Sequence, residues 1–497
     1  MSQPNNPFDA REIRKSVQRR AVNSAAALAL GRPMLVLVNL GGAMILARIL
    51  APHDYGLFGM VVVAVRMAEV FREMGLGTVA IQREALSPDQ QAGLFWTNTF
   101  FALLIGALLA LSAPLIVGFY GEPALAGLTY GVAAQFVLNG LSTQHLALIK
   151  RQLNFKGLVI VQFCAAALAV LAAVGAAKSG AGPYALVVRA VTEAVANAIG
   201  LRLITRWSPG RPRGFVQIIE ELKFGLNITF TNMTAFLSRQ ADNLIVGKFF
   251  GAEALGTYQK SYELMMMPLQ HVTRPASGIG VAALSRLAAE PEKYRRAYFR
   301  MVEKILLVSV PFAALLMGAS EVVVAILLGP QWGAVVPLAT VLGFVSLLQP
   351  ITTTVTWLLT TQNQPNVLLR ASLLNAALDL AGFAVGAQWG PLGIAMSYSL
   401  GQLVKVPISV SYQLRHSHVS ARDIFRATGF FCGLGILAAA AVASVSHVCR
   451  DNHLIVRAMA SGGTAVVAYY ALLLAFPQGR RALQDVATSV SFLRARR

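Results

Sequence analysis

Charged residues are scarce in this chain of 497 residues. Asp, Glu, Lys and Arg together make up 13% of the sequence, whereas hydrophobic residues make up 56%. Soluble domains average about 25% charged residues. Because so few charges cannot cover a water-exposed surface of this size, the composition excludes a soluble globular protein and indicates a chain embedded in a lipid bilayer.

Acidic residues are the scarcer of the two charge types, with 22 Asp and Glu against 42 Lys and Arg, a net charge of +20. In a soluble protein this excess would suggest nucleic acid. Here the basic residues gather in alternate predicted loops, as the positive-inside rule requires. We therefore predict an even number of spans, both termini in the cytoplasm and no nucleic-acid partner.

Residues for catalysis and metal binding are also few. Cys164, Cys432 and Cys449 form no C-x-x-C motif, the seven histidines are dispersed, and no P-loop occurs. This excludes a disulfide framework, a zinc site and direct use of ATP, so no metal or cofactor is predicted. A membrane polymerase or ligase needs a large outer loop, and the predicted outer loops are too short, so we predict that the chain is not an enzyme.

About fourteen apolar segments of spanning length make up most of the chain. They predict an all-α polytopic membrane protein with two pseudo-symmetric six-helix lobes and two additional helices. The predicted divisions are a basic arm at 1–21, an N-terminal lobe at 22–206, a linker at 207–221, a C-terminal lobe at 222–415, two helices at 416–476 and a basic tail at 477–497.

A short polar corner at Ala51–Gly56 separates the first two segments, and it recurs 200 residues later at Gly251–Gly256. An offset of six helices keeps both copies in the same orientation, which indicates a parallel repeat about an axis along the membrane normal. Loop charges place both corners on the periplasmic side. We interpret each corner as a structural clamp at an outer gate.

Ionisable residues inside the segments that flank the corners are functional candidates, because a charge in a bilayer is costly unless it is paired or faces water. Arg66, Glu69 and Glu73 share one helix face, and a second stripe contains Lys260, Glu263, Gln270 and Arg274. Six cations predict a central cavity for an anionic group, since guanidinium binds phosphate in bidentate fashion. The predicted binding residues are Arg66, Arg274, Arg32, Arg72, Arg239 and Lys260.

Acidic residues near these cations are predicted to serve in ion coupling or in salt bridges. They are Glu69, Glu73, Glu263, Asp242 and Asp379. The pairs Glu69–Arg72 and Arg239–Asp242 have helical spacing and also fit a purely structural role. For Asp379 a coupling site and a satisfied hydrogen-bonding residue both remain open, and Lys405 is equally ambiguous. Pro268 and Pro275 are expected to interrupt their helix.

Three stretches resemble the polysaccharide transporter family of the multidrug/oligosaccharidyl-lipid/polysaccharide superfamily. They are LARILAPHDYGLFGMVVV at 46–63, MGLGTVAIQRE at 74–84 and YQKSYELMMMPLQHVTRPASGIGVAALSRL at 258–287. Within that superfamily the sequence is most similar to Wzx-type flippases. The resemblance implies a V-shaped pair of lobes in the bacterial inner membrane that translocates undecaprenyl-pyrophosphate-linked oligosaccharide by alternating access, for exopolysaccharide or O-antigen synthesis.

A cation-coupled multidrug exporter of the same superfamily is the alternative. Its cavity should be rich in acids and aromatic residues that hold organic cations, and the excess of arginine here favours the flippase. If the chain is a flippase, its further predicted partners are membrane lipid, a polysaccharide polymerase and the co-polymerase of that enzyme.

Overall fold

The computed structural model describes residues 17–72, 87–211, 219–415 and 417–495; side chains are included except at 17–30, 70–72, 219–239, 275, 279, 487 and 489–495. The helices are, in chain order, α1 (Val17–Ile49), α2 (Pro52–Arg72), α3 (Pro88–Leu111), α4 (Ala113–Tyr120), α5 (Leu125–Arg151), α6 (Phe155–Lys178), α7 (Tyr184–Thr205), α8 (Ile219–Pro268), α9 (Arg274–Leu287), α10 (Pro291–Gly318), α11 (Ser320–Leu327), α12 (Val335–Thr361), α13 (Pro365–Gly386), α14 (Gly390–Gln413), α15 (Ala421–Val448), α16 (Leu454–Ala475) and α17 (Pro477–Ala495).

Helices make up most of the described residues, and no strand occurs among them, which confirms the all-α prediction. In a bilayer the backbone has no water to bond with, so helices that satisfy their own N–H and C=O groups are the expected solution. In the described part of the chain, nine stretches are long and apolar enough to cross a membrane. The count of fourteen spans stays a prediction.

Contacts group the chain into two compact units, Met1–Gly256 and Thr257–Arg497. The point of division lies within α8, whereas the sequence placed a linker at 207–221. The predicted lobe boundaries at 22–206 and 222–415 stay a prediction.

Small residues hold the first unit together. Helix α6 packs between α1 and α7, and Ala165, Ala169 and Ala173 on its buried faces are at most 1% exposed. On α1, Gly42 lies so close to Val170 that an added Cβ would be 2.4 Å from its Cγ2. Lipid is as apolar as the side chains themselves, so the hydrophobic effect does not drive helices together inside a membrane. Helices associate there through close van der Waals contact of this kind.

Helix α10 lies at the core of the second unit, where it packs against α12 and α15. Tyr298 on α10 donates a hydrogen bond to Thr354 on α12 at 3.2 Å. Pro311 has no N–H and leaves the Leu307 carbonyl without its helical donor. The Tyr470 hydroxyl donates to that carbonyl at 3.1 Å and so ties α16 to α10.

The two corners are shorter than predicted. Helix α1 ends at Ile49 and α2 already begins at Pro52, so only Leu50 and Ala51 lie outside helices. Proline suits the first helical position because its missing N–H would be unpaired there anyway. In the second copy, Gly251 alone interrupts α8, with φ of 82°, a conformation that glycine adopts without a Cβ clash.

A π-helical turn, Leu269–Thr273, follows Pro268, and Pro275 stands in the first turn of α9. The predicted interruption by these prolines is therefore confirmed. The predicted stripe through Lys260, Glu263 and Arg274 used α-helical spacing, which the π turn interrupts before Arg274. A π turn closes after five residues rather than four, so the α-helical register of Lys260 does not extend to Arg274.

Leu306→Ala should destabilise the second unit. Leu306 is fully buried in its hydrophobic core, and truncation leaves a cavity that costs about 2–4 kcal/mol of unfolding free energy. Thermal unfolding of the purified protein in detergent measures the loss. The matched control is Leu403→Ala, since Leu403 is 53% exposed and loses few contacts. Equal melting temperatures for the two variants would contradict this core assignment.

Candidate functional site

Two predicted cations of the first unit present exposed side chains. They are Arg32 on α1 and Arg66 on α2. Arg66 has no ion-pair partner among the described side chains, while the nearby Glu69 is half-buried. Arg72 lies at the end of α2 with its side chain outside the description, and Glu73 lies outside the described residues altogether. Arg66 is thus the best-placed described cation on α2 for binding an anion.

The predicted residues of α8 and α9 include an ion pair and an exposed cation. Lys260 is 8% exposed, and its ammonium lies 2.7 Å from the Glu263 carboxylate, so the structure joins these two predicted residues. Arg274, at the first position of α9, is exposed. Asp242 is buried, and the side chain of its predicted partner Arg239 lies outside the description. Whether these residues contact a substrate stays a prediction.

Sequence reasoning missed one half-buried hydrogen bond between helices of the first unit. The guanidinium of Arg189 on α7 donates to the Asn39 side-chain oxygen on α1 at 3.0 Å. Asn39 also donates to the Leu35 carbonyl one turn earlier on its own helix, at 3.0 Å. Arg189 lies inside a hydrophobic span, and that position was the available signal. The bond gives this arginine a structural partner.

Asp379 and Lys405 are partners in the second unit. The Lys405 ammonium on α14 lies 2.5 Å from the Asp379 carboxylate on α13, and both side chains are mostly buried. Lys405 also lies 5.0 Å from the centre of the Tyr398 ring. Two roles were left open for Asp379, an ion-coupling site and a hydrogen-bonding residue with a partner inside the protein. This geometry favours the second role. The same pairing gives Lys405 a structural partner.

A polar cavity of about 310 Å³ opens beside Lys405, between α12, α13 and α14. Its polar lining includes Thr352, Thr353, Thr356, Ser372, Asn375 and Ser409. The side-chain oxygen of Asn375 is buried and has no hydrogen-bond partner among the described residues. Hydroxyl and amide groups both donate and accept, so this lining suits a hydroxylated ligand.

The two corners contact each other in a symmetric arrangement within the first unit. A Cβ on Gly56 would lie 1.6 Å from the Ala252 carbonyl oxygen, and a Cβ on Gly256 would lie 2.0 Å from the Pro52 carbonyl oxygen. Gly56 corresponds to Gly256 in the repeat, and Ala252 corresponds to Pro52, so the two contacts are equivalent. This equivalence confirms the predicted register of the repeat. Only glycine permits such close backbone contact at both positions.

Lys248 fixes a second contact near the corner. Its ammonium donates to the Phe119 carbonyl in the last turn of α4 and lies 4.9 Å from the centre of the Phe119 ring. A cation at a helix C-terminus satisfies a carbonyl that has no helical donor and interacts favourably with the helix dipole.

Helices that span a membrane, charges inside them and a symmetric internal repeat together define a polytopic membrane transporter. The model of the family described as polysaccharide biosynthesis protein matches residues 45–337, more than half of the chain. The protein belongs to this family.

Named relatives agree with this assignment. The lipopolysaccharide biosynthesis protein WzxC of Escherichia coli is 21% identical over 79% of this chain and 81% of its own length. The succinoglycan biosynthesis transport protein ExoT of Rhizobium meliloti is 22% identical over 71% of each chain. The amylovoran biosynthesis protein AmsL of Erwinia amylovora is 26% identical over 56% of this chain and 72% of its own.

Solved structures of transporters share the fold. The lipid II flippase MurJ, in an inward closed conformation, superposes with a TM-score of 0.66 at 11% identity, over 91% of this chain and 98% of its own. An inward-facing multidrug resistance MATE transporter of the MOP superfamily gives 0.58 at 13% identity, over 82% and 99%. The fold is therefore the MOP-type fold that the sequence predicted.

Gly56→Val should separate the corners, because no side chain fits beside the Ala252 carbonyl. Leu57, 4% exposed, then becomes accessible. In a chain whose native cysteines are replaced, we expect Leu57→Cys to react several-fold faster with a membrane-impermeant maleimide when Gly56→Val is present. The control is Gly41→Val, since nothing lies within 4 Å of a Cβ at Gly41. Unchanged labelling would refute the close contact.

Lys405→Leu should leave a mostly buried carboxylate without its partner and lower the unfolding free energy by roughly 2–3 kcal/mol. The double variant Lys405→Leu/Asp379→Leu removes both charges and should recover most of that loss. Melting temperatures in detergent compare the two. If Lys405→Leu and the double variant were equally unstable, the pair would not carry this interaction.

Proposed function

We propose that this protein is a flippase that moves undecaprenyl-pyrophosphate-linked oligosaccharide repeat units across the bacterial inner membrane by alternating access. Both termini lie in the cytoplasm. The translocated oligosaccharide repeat units supply exopolysaccharide or O-antigen synthesis. The protein transports its substrate and does not alter it chemically. A polysaccharide polymerase and its co-polymerase act on the delivered units.

Membership of the polysaccharide biosynthesis protein family supports this class of substrate. The relatives are named for the biosynthesis of lipopolysaccharide, succinoglycan and amylovoran, and the succinoglycan protein is named a transport protein. A lipid II flippase shares the fold. Polymers of this kind need their building blocks carried across a membrane, which is the step that a chain made of spanning helices is suited to perform.

The observation that carries the proposal is the exposed guanidinium of Arg66 inside a helix of membrane-spanning type. Arg66 follows Pro52 by fourteen residues, which at 1.5 Å per residue is about 21 Å along α2. This depth lies within a hydrocarbon core of about 30 Å. An arginine is stable there when it faces water or an anion, and a pyrophosphate offers oxygens for bidentate contact.

Arg274 is the corresponding exposed cation in the second unit, where the π turn and α9 meet. In the proposed mechanism both arginines bind the pyrophosphate. The remaining predicted cations Arg32, Arg72, Arg239 and Lys260 add to the positive potential of the cavity. Glu263 reduces the contribution of Lys260, because the two form an ion pair.

The hydroxyl-rich cavity beside Lys405 supports a glycan as cargo. Sugars bind through hydroxyl groups that donate and accept hydrogen bonds, and threonine, serine and asparagine side chains match them. The polyprenyl chain needs no polar partner and remains in the lipid. The corners close the periplasmic side when Gly56 contacts Ala252 and open it when the helices separate.

Arg66→Ala and Arg274→Ala should each slow translocation by about tenfold to a hundredfold, the loss expected when a charged hydrogen-bonding partner worth about 1.5–3 kcal/mol is removed. Movement of a fluorescent undecaprenyl-pyrophosphate oligosaccharide across proteoliposomes measures the rate. Arg66→Lys keeps the charge but loses the planar fork, so an intermediate rate is expected.

The control is Arg370→Ala, an exposed arginine outside the predicted cavity, which should leave the rate unchanged at equal protein level. Normal translocation by both cavity variants would reject the proposed site. Strong export of cationic dyes by the unaltered protein, without movement of the lipid-linked sugar, would reject the proposed function in favour of a multidrug exporter.

A further inference from the structure

A pocket of about 550 Å³ opens where α10, α15 and α17 begin, at one end of the second unit. Two ion pairs fix the three helices around it. Arg295 on α10 lies 2.9 Å from Asp423 on α15, and Arg300 on α10 lies 3.4 Å from Asp485 on α17. The pocket is therefore a built feature of the fold whose walls are held by long-range contacts.

Each of the three helices contributes one further arginine to the lining. They are Arg296 on α10, Arg426 on α15 and Arg481 on α17. None of these guanidinium groups has an ion-pair partner among the described side chains. Glu292 and Glu303 also line the pocket, which leaves an excess of one positive charge. Three guanidinium groups from three helices make a site for a phosphate group.

An apolar groove of about 660 Å³ adjoins this pocket, and Gln478 lines both. Gly429 and Gly433 form its floor on α15, where nothing lies within 4 Å of an added Cβ. Phe430, Leu437 and Phe476 form its apolar walls. The missing side chains of the glycines give the groove its depth.

The pocket and the groove together have about the length of one lipid leaflet along α15. From Arg426 to Leu437, α15 rises by eleven residues, which is about 16 Å. Half of a hydrocarbon core of about 30 Å is about 15 Å. A molecule with its phosphate at the arginines and one chain in the groove would therefore end near the middle of the bilayer, as an acyl chain of a phospholipid does.

We propose that this pocket and groove bind one anionic glycerophospholipid, with its headgroup phosphate on Arg296, Arg426 and Arg481 and an acyl chain along Gly429 and Gly433. The lipid joins α17 to the ends of α10 and α15 at the membrane surface. Its binding is independent of the translocated substrate, since no residue of the predicted central cavity takes part.

Native mass spectrometry of the full-length chain in detergent, titrated with dioleoyl phosphatidylglycerol, tests the site. Arg296→Gln/Arg426→Gln/Arg481→Gln should weaken this binding on the order of a hundredfold, roughly a factor of five per guanidinium. The matched control Arg286→Gln/Arg370→Gln/Arg422→Gln removes three exposed arginines outside the pocket and should change affinity by less than about threefold. Both proteins should melt at similar temperatures without lipid.

Gly433→Leu tests the groove separately. It fills the groove without altering any charge, so we expect it to weaken phosphatidylglycerol binding while binding of inorganic phosphate stays the same. Dioleoyl phosphatidylcholine, which has the same chains and no net charge, should bind weakly to the unaltered protein.

Three results would overturn the proposal. Equal affinity of the pocket variant and the control variant for phosphatidylglycerol would show that Arg296, Arg426 and Arg481 do not bind the lipid. Equal binding of phosphatidylcholine would show that no anion is selected. Tighter binding of undecaprenyl phosphate than of phosphatidylglycerol would assign the site to a polyprenyl lipid instead.

Discussion

The constraint on which the rest of this structure depends is that a membrane offers no water to a buried charge or an unpaired backbone group. The chain meets it locally by forming helices almost throughout. Where proline removes a helical bond, a hydroxyl replaces the donor, as Tyr470 does at the Leu307 carbonyl. Asp379 lies within a span, and Lys405 lies beside it. These partners come from neighbouring helices and therefore also fix how the helices pack.

The same constraint distinguishes structural charges from candidate binding charges. Lys260 and Arg189 have partners within hydrogen-bonding distance in the described chain. Arg66 and Arg274 are exposed on helices of the two units, which is stable in a membrane protein where water or an anion reaches them. Their exposure, and not the number of cations in a stripe, marks them as candidate contacts for a pyrophosphate.

Duplication gives the molecule its symmetric corner. Gly56 and Gly256 occupy equivalent positions in the repeat, and each permits the other copy's backbone to lie against it. Leu57 beside this contact is 4% exposed, so the corner buries apolar side chains as well as backbone.

From the sequence alone, the membrane class, the positions of the helices, the repeat and the family could be predicted, because hydropathy, charge bias and corner motifs are local properties of the chain. The partner of Asp379 could not be read from it, since Lys405 lies 26 residues away on another helix and only packing joins them. The π turn that shifts the register between Lys260 and Arg274 could not be read from the sequence either, because proline signals an interruption without specifying its geometry. The basic pocket of α10, α15 and α17 consists of residues that lie far apart along the chain. Tertiary structure alone brings them together, because helix packing and the ion pairs Arg295–Asp423 and Arg300–Asp485 set their distances in space.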